Sequence, residues 1–177
     1  MEMTWNASLW RQFGAAIDML DNALRACPDE LWQARLYNER SVQPEFAEFW
    51  YVVYHTLFWL DFYLSDSAEG FAPPAPFTLS ELEAGLLPER AYTKEELQAY
   101  LEHGRDKCRA KLESLTDALV PQQVRLDWPD MSVAELLFYN MRHVQEHAAK
   151  LSLFLGQRVG SAPGWVSKAR SEGSGKR

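Results

Sequence analysis

The chain has 177 residues, 47% of them apolar and seven of them Trp, a composition that supports one packed domain and excludes a disordered chain. A formal net charge of -7 without a long basic run argues against nucleic-acid binding. The longest apolar stretch, Trp50 to Leu60, contains His55 and Thr56 and is too short and polar to span a bilayer.

The first ten residues lack the basic start and apolar run of a signal peptide. Cys27 and Cys108 form no CxxC pair, so a reduced, cytoplasmic setting is expected. Each cysteine reads as a small helix-face residue rather than a nucleophile.

The first helix is expected from about Asn6 to Ala26, where Leu9, Phe13, Ile17, Leu20 and Leu24 form one stripe before Pro28. A linker ending near Glu39, Arg40 and Ser41 leads to a second helix opening at Pro44 and running to about Leu64. Its aromatics suit strand as well as helix, but its length decides for helix. Apolar residues all round place it inside the fold or against a second subunit.

Residues 66–91 carry Pro73, Pro74, Pro76 and Pro88 and read as a long rigid excursion with a helical turn or two within Thr78 to Leu87. Such loops often cover binding sites, and the Phe71–Pro76 stretch is a candidate cap. Thr93 with Glu96 is a capping box for a third helix, whose stripe runs from Leu97 to Leu119 before Pro121. Ser132 with Glu135 opens a fourth, expected to end near Leu155 with Gly156 as C-cap. The fold class is therefore all-α, a four-helix bundle over residues 1–157. Residues 158–177 hold five basic residues against one acid, are rich in Gly and Ser, and read as a solvated tail.

Of the four histidines, His143 and His147 lie four apart on the buried stripe of the fourth helix and could chelate one ion. HxxxH alone is weak, since one core and one surface histidine give the same pattern. His55 strengthens the case: it sits mid-helix in the most aromatic segment, and no neighbour one turn away is an obvious acceptor. Three imidazoles from facing helices would leave an open coordination position, as a catalytic metal requires. Imidazole suits Zn, Ni, Fe or Cu. His103, beside Arg105 and Asp106, reads as a surface residue.

A lone His in an aromatic second helix ("YVVYHTLFWLDFYL"), followed far downstream by "SVAELLFYNMRHVQEHAAKL", resembles the DinB-like family, which includes the YfiT-type metal hydrolases and the bacillithiol and mycothiol S-transferases. The loop with Trp128 and Pro129 is also similar to the family's. The resemblance spans about residues 6–157. It implies a down-up-up-down bundle, a homodimer, and a divalent transition metal (Ni, Zn or Fe) held by His55, His143 and His147. The chain departs from the common pattern at Glu146, where many members carry His, and at Ala148, Ala149 and Lys150, where many carry Arg-Gly-Gln.

The expected function is transfer of a low-molecular-weight thiol to an electrophile, or hydrolysis of a small substrate, at that site. Neither cysteine is placed as nucleophile, so a thiol must come from a small cosubstrate. Tyr51, one turn before His55, and Asn140, one turn before His143, are the weak candidates for proton transfer or ligand support, since simple core or surface packing is the commoner explanation of each. Glu146 reads as surface. The alternatives are a non-catalytic, metal-stabilised bundle serving as ligand binder or dimer scaffold, and histidines that pack without converging.

Overall fold

The computed structural model describes residues 4–38, 43–65, 67–124 and 130–170. The linker residues Glu39, Arg40 and Ser41, the loop residues Trp128 and Pro129, and the tail beyond Arg170 lie outside these ranges. Four helices form the body: α1 (Trp5–Ala26), α2 (Phe49–Tyr63), α3 (Lys94–Glu113) and α4 (Val133–Val159). Among the described residues there is no strand, only two isolated bridge pairs.

Each helix starts where its backbone amides find partners. Thr4 caps α1, its hydroxyl accepting from Ala7 N at 3.2 Å. Thr93 with Glu96 and Ser132 with Glu135 form the expected capping boxes on α3 and α4. α2 has no side-chain cap. Its first amides are satisfied by the linker instead: Phe49 N donates to Ala34 O and Trp50 N to Trp32 O, each at 3.0 Å. That pairing moves the start of α2 from the expected Pro44 to Phe49. Pro44–Ala47 forms a separate 3-10 turn, and Glu48 is extended.

The ends of α3 and α4 also differ from expectation. α3 stops at Glu113, because the chain beyond it crosses to α4: Val133 N donates to Gln122 O, and Ala134 N to Val120 O. α4 runs past Gly156 to Val159 and ends at Gly160, whose φ of 77° is the left-handed conformation a C-cap glycine adopts.

α1 packs against α3 and α4, and so does α2, which leaves α1 and α2 across one diagonal and α3 and α4 across the other. Contacts along the helices set their directions. Arg105 reaches Asp18 while Arg109 lies over Trp10, so α1 and α3 are antiparallel. Leu60 meets Gly104 and Ser65 meets Lys107, so α2 and α3 are parallel. Phe49 meets Phe154 and Asn140 bonds Leu60, so α2 and α4 are antiparallel. The topology is the down-up-up-down bundle.

α2 occupies the centre, with Phe49, Val53, Tyr54, Leu57, Phe58 and Leu60 fully buried. Truncating such a Leu to Ala costs about 2–5 kcal/mol in comparable cores. Its aromatics are covered within the chain by the excursion that follows: Phe77 stacks on Tyr54 at 6.0 Å, Phe71 meets Phe58 at 5.5 Å, and Tyr54 donates to Thr78 O at 3.0 Å. α3 supplies cations to two buried acids, Arg105 to Asp18 and Lys107 to Asp61, which Tyr100 also bonds at 3.1 Å.

The expected solvated tail differs most. Residues 160–170 form a strap along α1. Ala169 N donates to Arg11 O at 2.8 Å, Arg170 N to Asp18 Oδ2 at 2.7 Å, and Gln12 to Ser167 O at 3.2 Å. The cause is the pair of buried acids on α1: Asp18 and Asp21 accept from Arg170 as well as from α3, so a segment that reads as polar has a polar surface to dock on. No helix among the described residues is long and apolar enough to cross a membrane.

Candidate metal centre

The antiparallel pairing of α2 and α4 sets the positions of the histidines. His55 lies midway along α2, and the opposed run of α4 brings His143 and His147 to its level. The three rings sit edge to face, with centroids 5.2 Å (His55–His143), 5.0 Å (His55–His147) and 4.6 Å (His143–His147) apart. One nitrogen of each lies within 4.8 Å of the others. His55 Nε2 and His143 Nε2 are 3.2 Å apart. Two nitrogens bound tetrahedrally at about 2.05 Å would be separated by about 3.3 Å, so this pair is spaced for a shared ion.

The electrostatics agree with the geometry. Burial pushes His143 down to about 4 and His147 down to about 2, and each is lowered further by neighbouring imidazoles. Both rings therefore stay neutral, the state a metal ligand needs. His143 Nδ1 and His147 Nδ1 are buried without a hydrogen-bond partner. The nitrogen of His143 that faces His55 is Nε2, so the fit to a metal rests on three imidazole nitrogens within reach of one point. The donor set therefore fits a divalent transition metal.

Glu81 completes the surroundings and was invisible in the sequence. It lies on the 3-10 turn Ser80–Leu82 and reaches α2 from outside. Its carboxylate accepts from His55 Nδ1 at 2.8 Å, from Trp59 Nε1 at 2.8 Å, and from the Tyr51 hydroxyl in a short bond. Burial raises its pKa, but the His55 bond and charge and the Tyr51 and Trp59 bonds outweigh that and hold it below the usual carboxylate range. The excursion thus reaches the histidines through Glu81 rather than through Phe71–Pro76, since Phe71 packs on Phe58 and Phe62.

The other candidates separate cleanly. Tyr51 is joined to His55 through their shared partner Glu81. Asn140 is fully buried and donates to Leu60 O at 3.1 Å, joining α4 to α2. Glu146 is exposed and paired with Lys150 at 2.6 Å. His103 is also exposed, near Asp61 and apart from the triad. Tyr63 and Tyr139, unmarked in the sequence reading, stand beside His143 with Tyr63 6.4 Å from its ring. Both cysteines are buried and free. Burial raises both thiols, that of Cys27 to about 12, so neither offers a thiolate.

A cavity of about 510 Å³ between α1 and α4 reaches His143, though neither His55 nor His147 lines it. His143, Tyr139 and Arg142 line it from α4, Gln12 and Ala16 from α1, and Trp165 from the strap. It is large enough for a small organic ligand.

No curated protein and no solved structure matches the chain. The family model of the DinB superfamily matches residues 12–151. That span takes in α2 and α3 whole, most of α1 and α4, the three histidines and Glu81, so the histidine cluster lies wholly within the matched region, and the chain belongs to the DinB superfamily.

Proposed function

We propose that the protein is a metal-dependent enzyme that transfers a low-molecular-weight thiol to an electrophile or hydrolyses a small substrate. The observation that carries this reading is the convergence of three imidazole nitrogens, one of whose rings, His143, also lines a cavity of about 510 Å³. His55, His143 and His147 would hold a Ni, Zn or Fe ion and leave a position open. Such an ion, when bound, supplies Lewis acidity that favours the deprotonated form of a thiol or water.

The chain's own groups do the rest. His143 forms part of the cavity wall, so a molecule in the cavity lies against one ring of the triad. Tyr139 and Trp165 offer aromatic faces to its body. The raised thiols of Cys27 and Cys108 favour an external thiol over a protein nucleophile. Thiol transfer is the preferred version on family resemblance.

The test is an assay of metal-loaded protein with a panel of small thiols and a chromogenic electrophile, and in parallel with activated esters. Turnover that disappears in His143→Ala supports the reading. Rates equal to that variant with every thiol and ester would replace it with the non-catalytic scaffold. Leu79, Leu82 and Leu86 are exposed on the excursion that carries Glu81 and support the homodimer under either reading.

A further inference from the structure

We infer that Glu81 is the positioning residue of the triad: its carboxylate fixes the His55 ring with Nε2 turned toward His143 and His147, and sets a negative charge behind the metal centre. Tyr51, His55 and Trp59 recur every four residues on α2, so their polar atoms form one row. All three donate to the same carboxylate. The Glu81 side chain is 5% exposed, and a buried carboxylate is tolerated only when its oxygens are satisfied in this way.

The position of Glu81 is set by packing that does not involve the histidines. Ser80 Oγ and the Tyr54 hydroxyl are 2.9 Å apart, Tyr54 also donates to Thr78 O, and Phe77 is stacked on Tyr100. The turn is therefore anchored on both α2 and α3 before His55 meets it. A carboxylate accepts and cannot donate, so His55 Nδ1 must carry the proton. Nε2 of the neutral ring is then the lone-pair nitrogen, and it is the atom 3.2 Å from His143 Nε2. The charge has a second consequence. Three neutral imidazoles leave a divalent ion with its full charge, and Glu81 reduces the net charge of the assembly from +2 to about +1.

The inference rests on the proposed metal site for its affinity arm only. The test compares wild type, Glu81→Gln and Glu81→Ala by nitrogen NMR of 15N-histidine in metal-free protein and by titration with Zn and Ni, with circular dichroism to check folding. Wild type should show His55 solely as the Nδ1–H tautomer. Glu81→Ala should show the Nε2–H tautomer and bind metal roughly 10–100-fold more weakly. Glu81→Gln keeps an amide oxygen as acceptor, so it should retain the tautomer but lose affinity through the missing charge. A folded Glu81→Ala protein with unchanged tautomer and wild-type affinity would overturn the inference. Should that variant not fold, wild-type affinity in Glu81→Gln would overturn it instead. If wild type binds no metal, the metal-site reading fails, and the His55 tautomer in these variants still decides the role of Glu81.

Discussion

The Nε2 atoms of His55 and His143 stand 3.2 Å apart although 88 positions separate them in sequence. Glu81 occupies the other nitrogen of His55, so in the neutral ring the His55 Nε2 can only accept. In the metal-free protein His143 Nε2–H must donate to it, which leaves His143 Nδ1 as a buried acceptor without a donor. A metal held by the triad would take the His55 Nε2 lone pair in place of that hydrogen bond. A buried ring nitrogen without a partner is therefore a cost the metal-free cluster carries.

That cost can be measured. Replacing His147 with Leu removes a buried ring nitrogen that has no partner and retains an apolar body. Metal-free His147→Leu is expected to be at least as stable as metal-free wild type, with a gain of up to about 1–3 kcal/mol. Thermal unfolding in chelator checks this. A large loss of stability would mean that the ring is held by an interaction the geometry does not contain.

Acid should destabilise the metal-free protein. Burial keeps His143 unprotonated down to about 4 and His147 down to about 2, whereas an unfolded histidine takes up its proton near 6.5. Below about 6.5 the unfolded chain therefore binds protons that the native state refuses, and stability falls as pH drops. Above that value the two histidines contribute no pH dependence. Unfolding temperatures in chelator should decline from pH 7 to pH 4.5, and decline less in a His143→Leu, His147→Leu double variant. An equal slope in both proteins would contradict the burial of these rings.

The strap yields a prediction separate from the centre. A Cβ on Gly14 would lie 2.6 Å from the Ala169 Cβ, so Gly14→Ala must displace the strap. Displacement removes the Arg170 contacts to Asp18 and Asp21, while Arg105 and Gln98 remain. A loss of about 1–3 kcal/mol is expected, with metal content unchanged. Deletion of residues 161–177 should act in the same direction. Metal loss in either variant would make the strap part of the centre rather than a wall of the neighbouring cavity.

The helices and the triad were legible because their signals are local or periodic. Capping boxes lie within four residues, and the stripe of α1 repeats at helical spacing. His143 and His147 share a face through helical geometry alone. What was illegible depends on distant partners. α2 begins late because Ala34 and Trp32 satisfy its amides, and no residue near Pro44 signals this. The strap is ordered by Asp18, far back on α1. Glu81 lies in an irregular segment without periodicity, and nothing in its surroundings sets it apart from Glu83 or Glu89 until the excursion folds over α2.

The central claim is that His55, His143 and His147 hold one divalent transition metal. Elemental analysis of purified, untagged protein beside His55→Ala tests it most directly, with both proteins first incubated with Ni, Zn and Fe in turn. The account predicts near-stoichiometric metal in wild type and its loss in a variant that still folds. Absence of metal from wild type under every condition, or equal metal in the variant, would contradict it.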